Sequence, residues 1–127
     1  PTAAALSLKN LELYEKYHLI EKIQKTSKVF ENRINDISSL DMVGDIRHKG
    51  MVMGIELLQN KKLNKSLSSK KSMNKLVFEE GRKHQIYFRT LGNIIMLVPP
   101  LAISQKDLNF LIDGTISTIK SLSRTLK

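Results

Sequence analysis

A chain of 127 residues with 41% hydrophobic and 26% charged side chains carries enough apolar material for one folded domain and too much for a disordered one. It holds no cysteine, which excludes a disulfide framework, a thiolate nucleophile and a cysteine-ligated zinc site. Its net charge of +9 admits a polyanionic partner, but most of the excess falls in Lys61–His84, where a solvated loop and helix face accounts for it equally well.

The chain opens on Pro1 without an initiator Met, and a helix is expected almost at once. Ala4, Leu8 and Leu11 share one face of it, and Leu6 and Leu13 widen that face. A helix so apolar is expected to pack against something, either the rest of this domain or a preceding part of a longer protein. The opening Pro1-Thr2-Ala3-Ala4-Ala5 lacks the basic head and long apolar stretch of a signal peptide. After the polar break Tyr14–His18, the residues Ile20, Ile23, Ser27, Phe30, Ile34 and Ile37 step by three and four, which predicts a second amphipathic helix.

The period then changes. Met42–Ile46 and Met51–Leu57 read as strands, joined by a hairpin connection at Arg47-His48-Lys49-Gly50. Gln59–Ser69 is a polar loop without pattern, and a third helix is expected from about Ser69 to His84 with Met73, Leu76 and Val77 inward. Ile86–Phe88 and Ile94–Val98 read as short strands flanking a turn at Gly92-Asn93. Pro99-Pro100 removes two ladder donors and ends the second of them. The apolar run Ile94–Ala102 that contains this pair is too short to span a bilayer, so no membrane partner is expected. Ser104 and Asp107 form a capping-box signature, Ile103 and Leu108 a staple, and Leu108, Leu111, Ile112, Ile116, Ile119 and Leu122 one face of a last helix. The order α-α-β-β-α-β-β-α with hairpin links predicts an α+β fold, a mainly antiparallel sheet with helices on one face.

Few residues are arranged for chemistry. His18, His48 and His84 have neither a helical i, i+4 partner nor a nearby carboxylate at ligand spacing, so surface positions and no metal are expected. No nucleophile elbow, P-loop or dinucleotide fingerprint occurs. Glu79-Glu80 beside Arg82-Lys83 reads as a salt-bridged helix face. A base-stacking sheet needs aromatics on alternate positions of a central strand, and Lys49-Gly50-Met51-Val52-Met53-Gly54 supplies methionines there. A basic nucleic-acid-binding module is therefore only a second alternative, and no nucleic acid is expected as partner. Arg89 stands between two apolar strands, near the rim of the core. There its guanidinium needs an anion, either an internal Asp or Glu or a bound carboxylate.

Gly44-Asp45-Ile46-Arg47, followed by Gly50-Met51-Val52-Met53-Gly54-Ile55-Glu56-Leu57, resembles the β-hairpin of the C-terminal domain of class III pyridoxal-phosphate aminotransferases. The block Ile86–Leu101, with Arg89-Thr90-Leu91-Gly92-Asn93-Ile94-Ile95 at its centre, is similar to that family's strand-turn-strand segment. The opening Pro1–Ala5 resembles the start of its long helix. Thr90 departs from a position that is often proline in the family. The resemblance implies the small domain of a fold type I transferase, here residues 38–127, led into by a helical segment, 1–37, from an upstream large domain. Within the class, the arginine block is most similar to the branch that acts in biotin synthesis on 8-amino-7-oxononanoate, with ω-amino-acid:pyruvate aminotransferases as the alternative. That branch implies substrate-carboxylate binding by Arg89, pyridoxal phosphate as cofactor, a small-molecule substrate, a homodimer and a cytoplasmic setting. The family's Schiff-base lysine, pyridine-pairing aspartate and phosphate-binding motifs do not occur in this sequence. No catalytic or cofactor-binding residue is therefore expected in it, and the chain alone is expected to be inactive.

Overall fold

The stripe that predicts the second helix is what closes the core. In a computed structural model, which describes residues 1–59 and 73–126, Phe30 and Ile37 are fully buried, with Ile23 and Ile34 packed at the edge. The element order is α1 (Thr2–Lys16), α2 (Leu19–Ser38), β1 (Val43–Lys49), β2 (Val52–Leu57), α3 (Met73–Lys83), β3 (Arg89–Leu91), β4 (Ile94–Leu97) and α4 (Gln105–Thr125). The strands form one four-stranded antiparallel sheet in the order β1-β2-β4-β3. This is the α+β architecture that the alternation of helical and strand periods predicts.

Strand alternation divides the sheet. Met53, Ile55, Leu57, Ile95 and Leu97 point into a core completed by Phe30, Val77, Leu108, Ile112 and Ile119. Each such side chain contributes roughly 1.5–3 kcal/mol on burial, so this layer holds the fold. The opposite face carries Arg47, Lys49, Val52, Arg89 and Leu91, all exposed. No described helix covers it.

The last helix is started as its sequence predicts. Ser104 accepts from the Asp107 amide at 3.0 Å, and its hydroxyl donates to the Asp107 carboxylate at 2.7 Å. Leu108 is fully buried behind this cap.

Two element boundaries and the burial of two histidines differ from the sequence reading. Arg47, His48 and Lys49 are strand residues paired with Gly54, Met53 and Val52, and only Gly50 and Met51 turn. Their polarity is accommodated because Arg47 and Lys49 lie on the uncovered face, while the His48 and Phe30 rings meet edge to face with centroids 5.7 Å apart. His48 and His84 are thus half-buried rather than surface residues, and His84 Nε2 lies 3.4 Å from the Ser121 hydroxyl. Ile86–Phe88 is not a ladder strand, since pairing with β4 begins at Arg89. Continued backward at this register, the ladder would set Phe88, Tyr87 and Ile86 opposite Leu97, Val98 and Pro99, so the proline denies a donor only to the far end of the segment. The segment is held by α3 instead, with the Ile86 amide donating to Gly81 O at 2.9 Å.

Helix α1 buries none of its residues. Leu6, Leu8 and Leu11 are 67%, 65% and 61% exposed, so the apolar face expected to pack finds no cover in the described residues. Helix α2, by contrast, shares the core of the sheet up to Ile37. The expected loop beyond Gln59, the start of the expected third helix, and Lys61, Lys62, Lys65, Lys70 and Lys71 lie outside the described residues.

Candidate functional site

Arg89 opens β3, and the residues around it explain its exposure. Phe88 turns into the core, Thr90 turns toward α3, and the alternation leaves Arg89 and Leu91 on the uncovered face. The expectation that Arg89 lies desolvated at the core's rim is therefore corrected: its side chain is exposed.

The sheet register places Arg89 beside Met96, then Gly54, then Arg47, in one row across the four strands. The two arginines at the ends of this row differ in state. Arg47 Nε donates to Asp45 Oδ2 at 2.9 Å. Arg89 makes no ion pair or side-chain hydrogen bond with the described residues, so the internal-carboxylate alternative finds no partner among them.

Two depressions share Arg89 as their rim. One, of about 570 Å³, lies toward α3 between Asn74, Phe78, Tyr87 and Thr90. The other, of about 380 Å³, is floored by Met96, Leu97, Val98, Ile103 and Leu111. An apolar trough beside a guanidinium with no ion-pair partner among the described residues suits a ligand that joins an aliphatic chain to a carboxylate, because the planar fork can meet both oxygens.

The turn behind Arg89 is anchored more firmly than its sequence suggests. Gly92 takes φ +61°, the conformation that favours glycine in a two-residue hairpin. Asn93 Nδ2 then donates to Leu57 O at 3.0 Å and to Glu56 Oε1 at 3.3 Å, and Asn93 O accepts from the Leu57 amide at 2.9 Å. The Gly-Asn pair signals the turn, but nothing local reveals that Asn93 ties it to β2. Likewise, the hydrogen bond from Thr90 Oγ1 to Asn74 Oδ1 has no sequence signal.

The described residues do not fit a covalent pyridoxal-phosphate site. Every described lysine is exposed, and none is the enclosed amine that a Schiff-base position needs. No three acidic or histidine side chains among the described residues converge on a metal position, and no described helix is long and apolar enough to cross a membrane. The expected salt-bridged face of α3 is present, with Lys83 2.7 Å from Glu80, Lys75 3.9 Å from Glu79, and Arg82 over the Phe78 ring.

A four-stranded antiparallel sheet backed by helices is the α+β form of an aminotransferase small domain. The chain belongs to the class III aminotransferases, whose family model, Aminotransferase class-III, matches residues 1–119. The adenosylmethionine-8-amino-7-oxononanoate aminotransferase of Methanocaldococcus jannaschii is 36% identical over 114 residues, 90% of this chain and 25% of that relative. Its crystal structure superposes with a TM-score of 0.82, covering 90% of this chain and 26% of that one. The enzyme of the same name from Geobacter sulfurreducens is 30% identical over 97% of this chain and 27% of its own length. A solved transaminase with L-ala shares the fold at a TM-score of 0.90 with 21% identity, over all of this chain and 30% of its own. The chain thus spans about a quarter of the length of the curated relatives it matches.

Proposed function

We propose that this chain forms the C-terminal part of a pyridoxal-phosphate-dependent aminotransferase of biotin synthesis, which converts 8-amino-7-oxononanoate to 7,8-diaminononanoate. In this reading residues 1–37 lead in from an upstream large domain that carries the Schiff-base lysine, and 38–127 form the small domain, whose core α2 completes. The enzyme is read as a cytoplasmic homodimer, as the class resemblance implies. The cofactor, held by that other domain, supplies the electron sink for amino-group transfer. This chain supplies orientation: Arg89 grips the substrate carboxylate, at the end of the aliphatic chain far from the reacting carbonyl.

One observation carries the reading. Arg89 is exposed on the open sheet face, beside an apolar trough, with no partner among the described residues. The names of the relatives from M. jannaschii and G. sulfurreducens support the choice of substrate.

The test compares 8-amino-7-oxononanoate with its methyl ester in the full-length enzyme. Arg89→Ala should lower kcat/KM for the acid by roughly 2–5 kcal/mol in transition-state terms, and barely change it for the ester. Arg89→Lys should recover only part, because an ammonium cannot reproduce the fork. Equal losses for acid and ester would count against the carboxylate role. Rapid turnover of an ω-amino acid with pyruvate, and none of the oxononanoate, would favour the alternative branch of the class.

A further inference from the structure

A short edge strand is a poor mount for a side chain that must keep its direction. β3 has three residues, pairs with β4 alone among the described strands, and runs straight into the Gly92-Asn93 turn. Two contacts outside the ladder restrain it. Upstream, Ile86 is bonded to the end of α3 through Gly81. At the centre of the strand, Thr90 Oγ1 donates to Asn74 Oδ1 of α3.

The geometry of the second contact matters. Thr90 follows Arg89 directly and points to the opposite face, so its hydrogen bond holds the backbone that carries the guanidinium without blocking the space in front of it. This bond ties the middle of β3 directly to an α3 side chain. Without it the strand could twist about its ladder, and the fork of Arg89 would swing with it.

We infer that Asn74, acting through Thr90, is a positioning residue for Arg89 and so a determinant of selectivity for carboxylate-bearing substrates. The inference rests on the proposed role of Arg89. Asn74 also lines the depression that Arg89 borders, so direct contact with substrate is the competing role that the test must separate.

The experiment uses the full-length holoenzyme and measures kcat, KM and melting temperature with 8-amino-7-oxononanoate and its methyl ester. Asn74→Ala and Thr90→Val should each raise KM for the acid roughly tenfold, as losses of outer supporting bonds do, with kcat held within about twofold. KM for the ester should hardly move. The double variant should be no worse than either single one, because both remove the same bond. Thr90→Ser keeps the donor and should restore most of the acid's KM.

Equal losses for acid and ester, together with a lower melting temperature, would reduce the bond to a fold contact and overturn the inference. So would an effect of Asn74→Ala that Thr90→Val does not reproduce, which marks direct substrate contact. Arg89→Ala run in parallel separates the two levels. If Arg89→Ala spares the ester and the other two variants do not, the positioning role alone fails. If Arg89→Ala treats acid and ester alike, the carboxylate reading fails and takes the inference with it.

Discussion

Arg33 Nη2 donates to Asp113 Oδ1 at 2.6 Å, a contact between residues 80 apart in sequence that joins α2 to α4. The same guanidinium reaches Asp36 through Nε at 2.7 Å. Asp36 lies one turn further along α2, so the contact with Asp113 alone bridges the two helices.

The hydrogen bond to Asp113, then that to Asp36, raises the Arg33 guanidinium above its already high ordinary value. A raised basic group stabilises the fold below its unfolded value and loses that contribution only as pH climbs through the folded one. For an arginine this loss lies far into the alkaline range, so Arg33 itself should add no pH dependence near neutrality. Both aspartates are more than half exposed, and water and salt screen the pair. Arg33→Ala should therefore cost only about 0.5–1 kcal/mol, shrinking in high salt. Urea denaturation at low and high ionic strength checks both statements.

Gly81 is predicted to tolerate no side chain. A Cβ there would lie 2.5 Å from Phe88 Cδ2 and 2.9 Å from the Ile86 carbonyl oxygen, and the backbone atom cannot yield cheaply. Gly81→Ala should destabilise by roughly 1–3 kcal/mol through overpacking. It should also loosen the segment that leads into Arg89. Gly50 offers the contrast: it has open space but a φ of +57°, so Gly50→Ala should cost only the left-handed strain, about 1 kcal/mol. Melting temperatures of the two variants should rank in that order.

Lysine labelling addresses the placement of the cofactor. The described lysines are all exposed, so pyridoxal phosphate followed by borohydride should label the isolated 127-residue chain sparsely and at many positions. Peptide mapping by mass spectrometry reads this out directly. Stoichiometric labelling of one lysine would place the covalent site in this chain and overturn the proposed division of labour with an upstream domain.

Much of the fold is legible in one dimension because it rests on local chemistry. The three-four stepping from Ile23 to Ile37 marks the buried face of α2, and Ser104 with Asp107 marks the start of α4 three residues apart. Gly92, at φ +61°, marks its turn for the same reason, a conformational preference that needs no distant partner.

The strand limits were not legible in this way. Ile86–Phe88 has the composition of a strand, and Arg47–Lys49 has that of a loop, yet the ladder excludes the first and includes the second. What decides is the partner: the end of α3, which accepts the Ile86 amide, for one segment, and the paired residues of β2 for the other.

The sequence by itself determined the helices, the first hairpin and β4 among the described residues, the α+β class, and the resemblance that singles out Arg89. Only the tertiary structure decided which sheet face the helices leave open, and with it that Arg89 is exposed, that Asp45 pairs with Arg47, and that Asn74 reaches Thr90. Periodicity records which side chains avoid water, a property of neighbours along the chain. Register and face coverage depend on which distant elements meet, and here those meetings span gaps such as Asn74 to Thr90 and Arg33 to Asp113, where no local pattern can carry the information.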